Sequence, residues 1–256
     1  MVDSEAQLKI AGAGPPLVMV PGMDATGRLF YRQALLLARS YRVATYATRD
    51  SARTMAELLD DLDAVLEVVE PGGAPVTVFG ESFGGAIALS YAIDRPARVA
   101  ELVLLNTFPH FGPQRRLRLA TLALRATPWN PMPLIRRWTA RRLKASRTGP
   151  EDVRRFLEVS ADTTLVGYRN RLRMLRSFDV RDRLHEIRAP TLLIAAEEDR
   201  LVPSVEQARL MAARIPDATL CVLEGHGHEC VISPEIDLHA IVTGWSRDQK
   251  KAASET

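Results

Sequence analysis

Short apolar runs alternate with longer amphipathic stretches through the first 106 residues. LVMV (17–20) follows the turn-forming AGAGPP and reads as a buried strand. Residues 26–38 suit a helix, with Thr26 placed to cap it and Leu29, Phe30 and the apolar 34–38 segment to bury. YRVATY (41–46) is strand-like. From Thr54 to Val69 the residues Met55, Leu58, Leu59, Leu62, Val65, Leu66 and Val69 recur at helical spacing, and PGG (71–73) ends that helix. PVTVFG (75–80) and ELVLLN (101–106) are further strands, with the helix-compatible FGGAIALSYAI (83–93) between them.

The alternation then stops. From Thr107 to His185 the pattern is helical and Arg-rich, interrupted by ATPWNPMP (126–133) and SRTGP (146–150). It resumes with TLLIAA (191–196), a helix over 204–214, ATLCVLE (218–224) and a last helix from Pro234 to Trp245, before a polar tail after Ser246. Repeated βα units imply a mainly parallel sheet, because each crossover lays a helix across one face. The expected fold class is α/β, with the sheet built from residues 1–106 and 186–256. Residues 107–185 offer no strand to continue it and read as a mostly helical cap.

The 256 residues are 46% hydrophobic and 25% charged, values of a globular chain. Two cysteines, Cys221 and Cys230, are too few for a disulfide framework and are expected to be free. MVDSEAQLKI carries acids and no apolar leader, and no 18 residues run without a charge. Neither a signal peptide nor a membrane span is expected, and the cytoplasm is the expected compartment. The net charge of +3 conceals an asymmetry: nine Arg and one Lys stand between His110 and Pro150 with no acid, leaving −7 on the rest of the chain. A solvated helical surface accounts for such a run, and so does a face for an anionic substrate, carrier or membrane. No nucleic-acid recognition motif accompanies it, so nucleic acid is not an expected partner.

Gly80-Glu81-Ser82-Phe83-Gly84 joins an apolar strand to an Ala-rich helix, the context of a G-x-S-x-G nucleophile elbow. Small residues two before and two after the serine avoid collisions in so sharp a turn, and the helix N-terminus with the Phe83 N–H faces developing negative charge. A serine nucleophile needs a base, and the base an orienting acid. Asp199 lies just beyond TLLIAA in the loop AEEDRLVP, which Glu197 and Glu198 share. Two histidines, His226 and His228, occupy the loop EGHGHEC, and pattern alone does not separate them. A metal reading of His226, His228 and Cys230 lacks a remote ligand cluster. His110, His185 and His239 fit structural or surface roles.

The chain resembles the α/β-hydrolase superfamily over nearly its whole length, through VPGMDATGRLF (20–30), VFGESFGG (78–85), IRAPTLLIAAEEDRLVP (187–203) and EGHGHECVISPE (224–235). That resemblance implies His228 as the base, at the end of a G-x-G-H segment, and Asp199 as the acid, in a D-x-x-V-P loop. It also implies backbone N–H groups of Met23 and Phe83 as the oxyanion hole, although Pro21 stands where the family usually has His. PGMDATG (21–27) is similar to a PGMDGTG variant of acyl-ester hydrolases and acyltransferases.

The expected reaction is hydrolysis of a small or medium hydrophobic carboxylic ester through an acyl-enzyme, without cofactor or metal. A thioesterase acting on an acyl-coenzyme A or acyl-carrier thioester, an acyltransferase with the same three residues, and a non-enzymatic binding protein are the alternatives. An anionic carrier would lie against the Arg-rich cap. Trp129, Met132, Leu134 and Trp138 are the expected pocket residues, and an ordinary histidine base would titrate near ~6–7.

Overall fold

A computed structural model describes residues 8–112, 118, 119, 122, 124, 130–143 and 145–254. Seven strands form one sheet: β1 (Lys9–Ala11), β2 (Pro16–Val20), β3 (Arg42–Thr45), β4 (Val76–Glu81), β5 (Val99–Leu105), β6 (Thr191–Ala196) and β7 (Ala218–Leu223). Their order across the sheet is β1-β3-β2-β4-β5-β6-β7, with only the short β1 antiparallel to its neighbour.

The central strands β2, β4, β5 and β6 read as apolar runs because both of their faces are buried. In β2, Val18 and Val20 enter one apolar layer while Leu17 and Met19 enter the other. Leu102 and Leu104 separate from Val103 and Leu105 in the same way along β5. Helices α2 (Met55–Val69) and α3 (Phe83–Asp94) close the first layer, and α1 (Tyr31–Leu37) and the final helix close the second. Each fully buried Leu, Ile or Val contributes roughly 1.5–3 kcal/mol, so the two layers supply the main driving force for this sheet.

Two elements differ from the sequence expectation. Thr26 does not cap α1. Its hydroxyl donates to the Asp24 carboxylate at 2.5 Å, and the helix starts only after Gly27, at φ 66, and a 3-10 turn over Arg28–Phe30. A side chain at Gly27 would place its Cβ 2.4 Å from the Tyr46 carbonyl, so the chain needs glycine to turn there. The final helix begins at Leu238 rather than Pro234, where the Asp237 carboxylate accepts from the Ala240 N–H at 2.9 Å, and it continues through the polar tail to Ser254. Arg, Gln, Lys and Ala in that tail are strong helix formers, and a polar face suffices at the surface.

Between β5 and β6 lie helices α4 (Met132–Arg142), α5 (Pro150–Val159) and α6 (Leu165–Leu175), followed beyond β6 by α7 (Ser204–Ala212) and, after β7, α8 (Leu238–Ser254). The α4–α6 insertion is fastened to the sheet by polar contacts. Arg171, 2% exposed, holds the Asp50 carboxylate at 2.9 Å, and the Thr163 hydroxyl donates to the Asp24 carbonyl at 3.1 Å. Among the described residues no helix is long and apolar enough to cross a membrane. The chain builds outward from β2 to β3, then crosses back to β4, and the loops after β2 and β4 diverge at that reversal. In such sheets the crevice beyond the strand ends at this point is where ligands bind.

Candidate active site

Ser82 sits where β4 becomes α3, with φ 53 and ψ −117, a region that costs a non-glycine residue about 1–3 kcal/mol. The surroundings over-determine the turn. The Ser82 N–H donates to the Leu105 carbonyl at 2.9 Å, and its own carbonyl accepts from the Thr107 hydroxyl at 2.7 Å and the Gly85 N–H at 3.0 Å. A Cβ at Gly80 would lie 2.7 Å from the Gly84 carbonyl oxygen, and one at Gly84 would lie 2.1 Å from the Val20 carbonyl oxygen. Both glycines are therefore steric requirements of the turn.

His228 comes from the loop after β7. Its Nε2 lies 2.9 Å from Ser82 Oγ and its Nδ1 lies 2.6 Å from an Asp199 carboxylate oxygen. Asp199 leaves the end of β6, and its other oxygen accepts from the Leu201 and Val202 N–H groups at 2.8 and 3.0 Å. The Ser204 hydroxyl donates to the oxygen facing the imidazole. Burial raises the Asp199 carboxyl, but the charge and hydrogen bond of His228 and these donors outweigh it, and the net direction is downward. Asp199 is thus held as a carboxylate.

The rival residues are engaged elsewhere. Glu197 accepts from the Gly225 N–H at 3.0 Å, and Glu198 accepts from the Ser146 N–H at 2.8 Å and from the Ser146 hydroxyl. His226 lines a separate small pocket with Arg147 and Ser233, where burial and the Arg147 charge lower its pKa. Cys230 Sγ faces the Asn106 amide at 3.4 Å, so His226, His228 and Cys230 do not converge. Among the described residues the metal-type donors that come together are Glu81, His228 and Glu229.

Three residues that sequence reasoning passed over shape this site. Asn106, at φ 48 just after β5, donates from its amide to the His228 carbonyl at 2.6 Å and accepts from the Ala196 N–H at 2.8 Å. It ties together the chain segments that carry Asp199 and His228. Glu81, 2% exposed, places a carboxylate oxygen 3.7 Å from His228 Nε2, with no hydrogen-bond partner for that oxygen among the described residues. Burial, reinforced by the Glu229 charge, pushes the Glu81 carboxyl well above the usual range, and burial pushes Glu229 up to about 7 against the pull of His228. The only signal in the sequence was their adjacency to Ser82 and His228.

Burial alone would lower the His228 imidazole. Asp199, by charge and hydrogen bond, together with the charges of Glu229 and Glu81, more than reverses this and pushes it up to about 10. An ordinary titration near ~6–7 is therefore not what this environment gives.

Among the described residues the backbone N–H groups of Met23 and Phe83 find no acceptor, and Phe83 opens a helix, where the first N–H groups lack intrahelical acceptors. Met23, Ser82 and His228 open onto a cavity of about 190 Å³ walled by Phe108, Met132, Ile135, Trp138, Phe156 and Leu172, among others. Of the expected pocket residues, Met132 and Trp138 are among this lining. Leu134 is not: it is exposed on the outer side of α4. Trp129 lies outside the described residues. The arrangement can pass a proton from Ser82 Oγ to His228 Nε2 while Asp199 holds the ring, next to two open N–H donors and an apolar chamber.

A family profile described as the alpha/beta hydrolase fold matches residues 15–233. The chain is 29% identical over 254 residues to a protein of Azorhizobium caulinodans named "Putative carbamate hydrolase RutD", covering 91% of this chain and 92% of that one. It is 31% identical over 234 residues to a protein of the same name from Variovorax paradoxus, covering 84% and 85%. A solved hydrolase from Pseudomonas aeruginosa is similar in structure, with a TM-score of 0.78 at 25% identity over 87% of each chain.

Proposed function

The chain belongs to the alpha/beta hydrolase fold family, and from that premise we propose that it is a serine hydrolase cleaving a small or medium hydrophobic carboxylic ester through an acyl-enzyme. The observation that carries this reading is the Ser82–His228–Asp199 chain, at 2.9 and 2.6 Å, opening into an apolar cavity. Ser82 Oγ attacks the acyl carbon as His228 Nε2 takes its proton. The Met23 and Phe83 N–H groups receive the oxyanion, and His228 returns the proton to the departing alcohol. Water, deprotonated by the same imidazole, then attacks the acyl-serine, and collapse releases the acid and restores Ser82.

A carbamate is the second reading, favoured by the printed name of relatives 29% and 31% identical. The same attack on a carbamoyl carbon would expel an alcohol or amine. The ester is preferred because the chamber wall is mainly aromatic and aliphatic, whereas a small polar carbamate would leave that surface unfilled. A panel of esters, thioesters and carbamates graded by acyl length tests the choice, with Ser82→Ala as background. Turnover should peak on esters of medium acyl chain and fall by ~10⁴–10⁶-fold in Ser82→Ala. Peak activity on a carbamate, or activity surviving in Ser82→Ala, would overturn the reading.

A further inference from the structure

The reaction just described leaves the Arg-rich segment unused. Ten cations and no acid stand between His110 and Pro150. Elsewhere arginines pair with carboxylates, as Arg49 does with Asp61 and Arg183 with Glu186. In the segment Arg118, Arg137 and Arg141 have no carboxylate partner among the described residues, Arg136 donates to the backbone carbonyl of Ala161 at 3.0 Å, and Arg142 lies over the Trp138 ring at 4.6 Å. Among the described residues of the segment, only Arg147 reaches an acid, Glu235 at 2.8 Å.

The same region is unusually apolar on its outside. Leu119, Leu122, Leu134 and Trp138 are 67%, 61%, 58% and 53% exposed, four of the nine exposed large hydrophobic residues among those described. Leu134 and Trp138 are four apart on α4 and share a face, and Arg137 and Arg141 repeat that spacing beside them. Trp138 also lines the cavity, as do its helix neighbours Ile135 and Thr139. The apolar, cationic face therefore borders the mouth through which a substrate reaches Ser82.

We propose that this face docks on an anionic lipid surface and that the ester enters past Trp138 from that surface. Exposed Leu and Trp between unpaired arginines match the interfacial boundary, where side chains of the first kind enter the acyl region and cations meet anionic headgroups. Cations near such a surface are drawn to its anionic headgroups, and Arg118, Arg137 and Arg141, without a carboxylate partner among the described residues, give a salt-sensitive attraction. A nucleic acid would use the cations but leave the leucines in water. The docking depends on the ester reading only for what is delivered to Ser82; the binding itself does not.

Co-sedimentation of the full chain with phosphatidylcholine vesicles, with and without phosphatidylglycerol, tests it. Partitioning should be at least ~10-fold stronger with phosphatidylglycerol and should weaken as salt rises. Arg137→Glu/Arg141→Glu should lower it ~10-fold or more, and Leu134→Ser by ~3-fold, with hydrolysis of a soluble short-chain ester held within about twofold in both. Equal partitioning to neutral vesicles, no partitioning at low salt, or binding unchanged by charge reversal would overturn the proposal, as would salt-dependent binding to single-stranded RNA with none to vesicles. Vesicle binding by a wild-type protein that cleaves no ester would leave the docking standing and sink the ester reading.

Discussion

The strand ends beneath the cavity and the helices above it bury similar apolar side chains but distribute their polar contacts differently. At the strand ends each polar group that matters has several partners. Asp199 accepts from two backbone N–H groups and a hydroxyl as well as facing His228, and Asn106 bridges the ends of β6 and β7 with both ends of its amide. In the insertion the attachments are scattered over its length: Thr164, Asn170 and Arg171 meet Asp50, Thr163 meets the Asp24 carbonyl, and Ser146 and Arg147 meet Glu198 and Glu235. Arg171 holds Asp50 with one nitrogen and leaves Nε and Nη2 without partners among the described residues, and the outer face of α4 exposes Leu134 and Trp138. Redundant hydrogen bonding fixes a reaction geometry to tenths of an ångström, which chemistry demands. A pocket wall needs only shape and apolar area, which anchors scattered around its rim can hold. On the proposed reading, reaction type and substrate choice would be carried by separable parts of one chain.

The largest effects should come from the strand ends. His228→Ala should lower turnover as far as Ser82→Ala within about an order of magnitude, because residues acting as one unit are strongly non-additive. His226→Ala should cost less than ~30-fold, through loop placement alone. Kinetics of the two single mutants decide it, and a dead His226→Ala beside an active His228→Ala would move the base to the other imidazole.

An intermediate effect should come from the insertion. Arg171→Met removes a buried cation but leaves Asp50, whose side chain is about a third exposed, able to rehydrate. A loss of about 1–3 kcal/mol in urea unfolding is expected, with turnover at saturating substrate retained within ~10-fold. If turnover collapses while stability holds, the separation between the two regions fails.

The smallest effect sharpens the picture inside the site. A base with a raised pKa is protonated, and so idle, over more of the pH range. Activity of the wild type on a neutral ester should therefore still be rising at about pH 8. Glu229→Gln removes a negative neighbour, makes the imidazolium less favourable, and should move the acid limb of kcat/KM downward by roughly one pH unit. An unmoved limb would mean that Glu229 is already neutral throughout the working range.

Where local pattern and tertiary packing agreed, the sequence was easy to read. TLLIAA is β6 to the residue, because a strand buried on both faces shows as an unbroken apolar run. Ser82 was legible because its glycines are dictated by backbone contacts within the turn itself. Choices within one loop were not. Asp199 differs from Glu198 only in what faces it, since Ser146 of the insertion takes the glutamate, a contact 52 residues away in sequence. Leu134 was misplaced for a similar reason: a helix turns about 100° per residue, so inward and outward positions depend on how α4 seats against the sheet. Glu81 and Glu229 carried no periodic signal, because their environment is made by three separate loops.

Ala25, Ser82 and Asn106 share a backbone bent to φ 65, 53 and 48, all at the carboxyl ends of strands around the site. Glycine would relax each of them, yet the three are not equally free to change over evolutionary time. At Ser82 it would erase the proposed nucleophile, and at Asn106 it would cut the bridge between the Asp199 and His228 loops, so both positions must go on tolerating the strain. At Ala25 the side chain is a single buried methyl with no polar duty. The similar PGMDGTG sequence has glycine at that place. Drift between alanine and glycine there alters only how stiffly the Met23 loop is held, making it the one bent position where natural variation can tune the site without touching its chemistry.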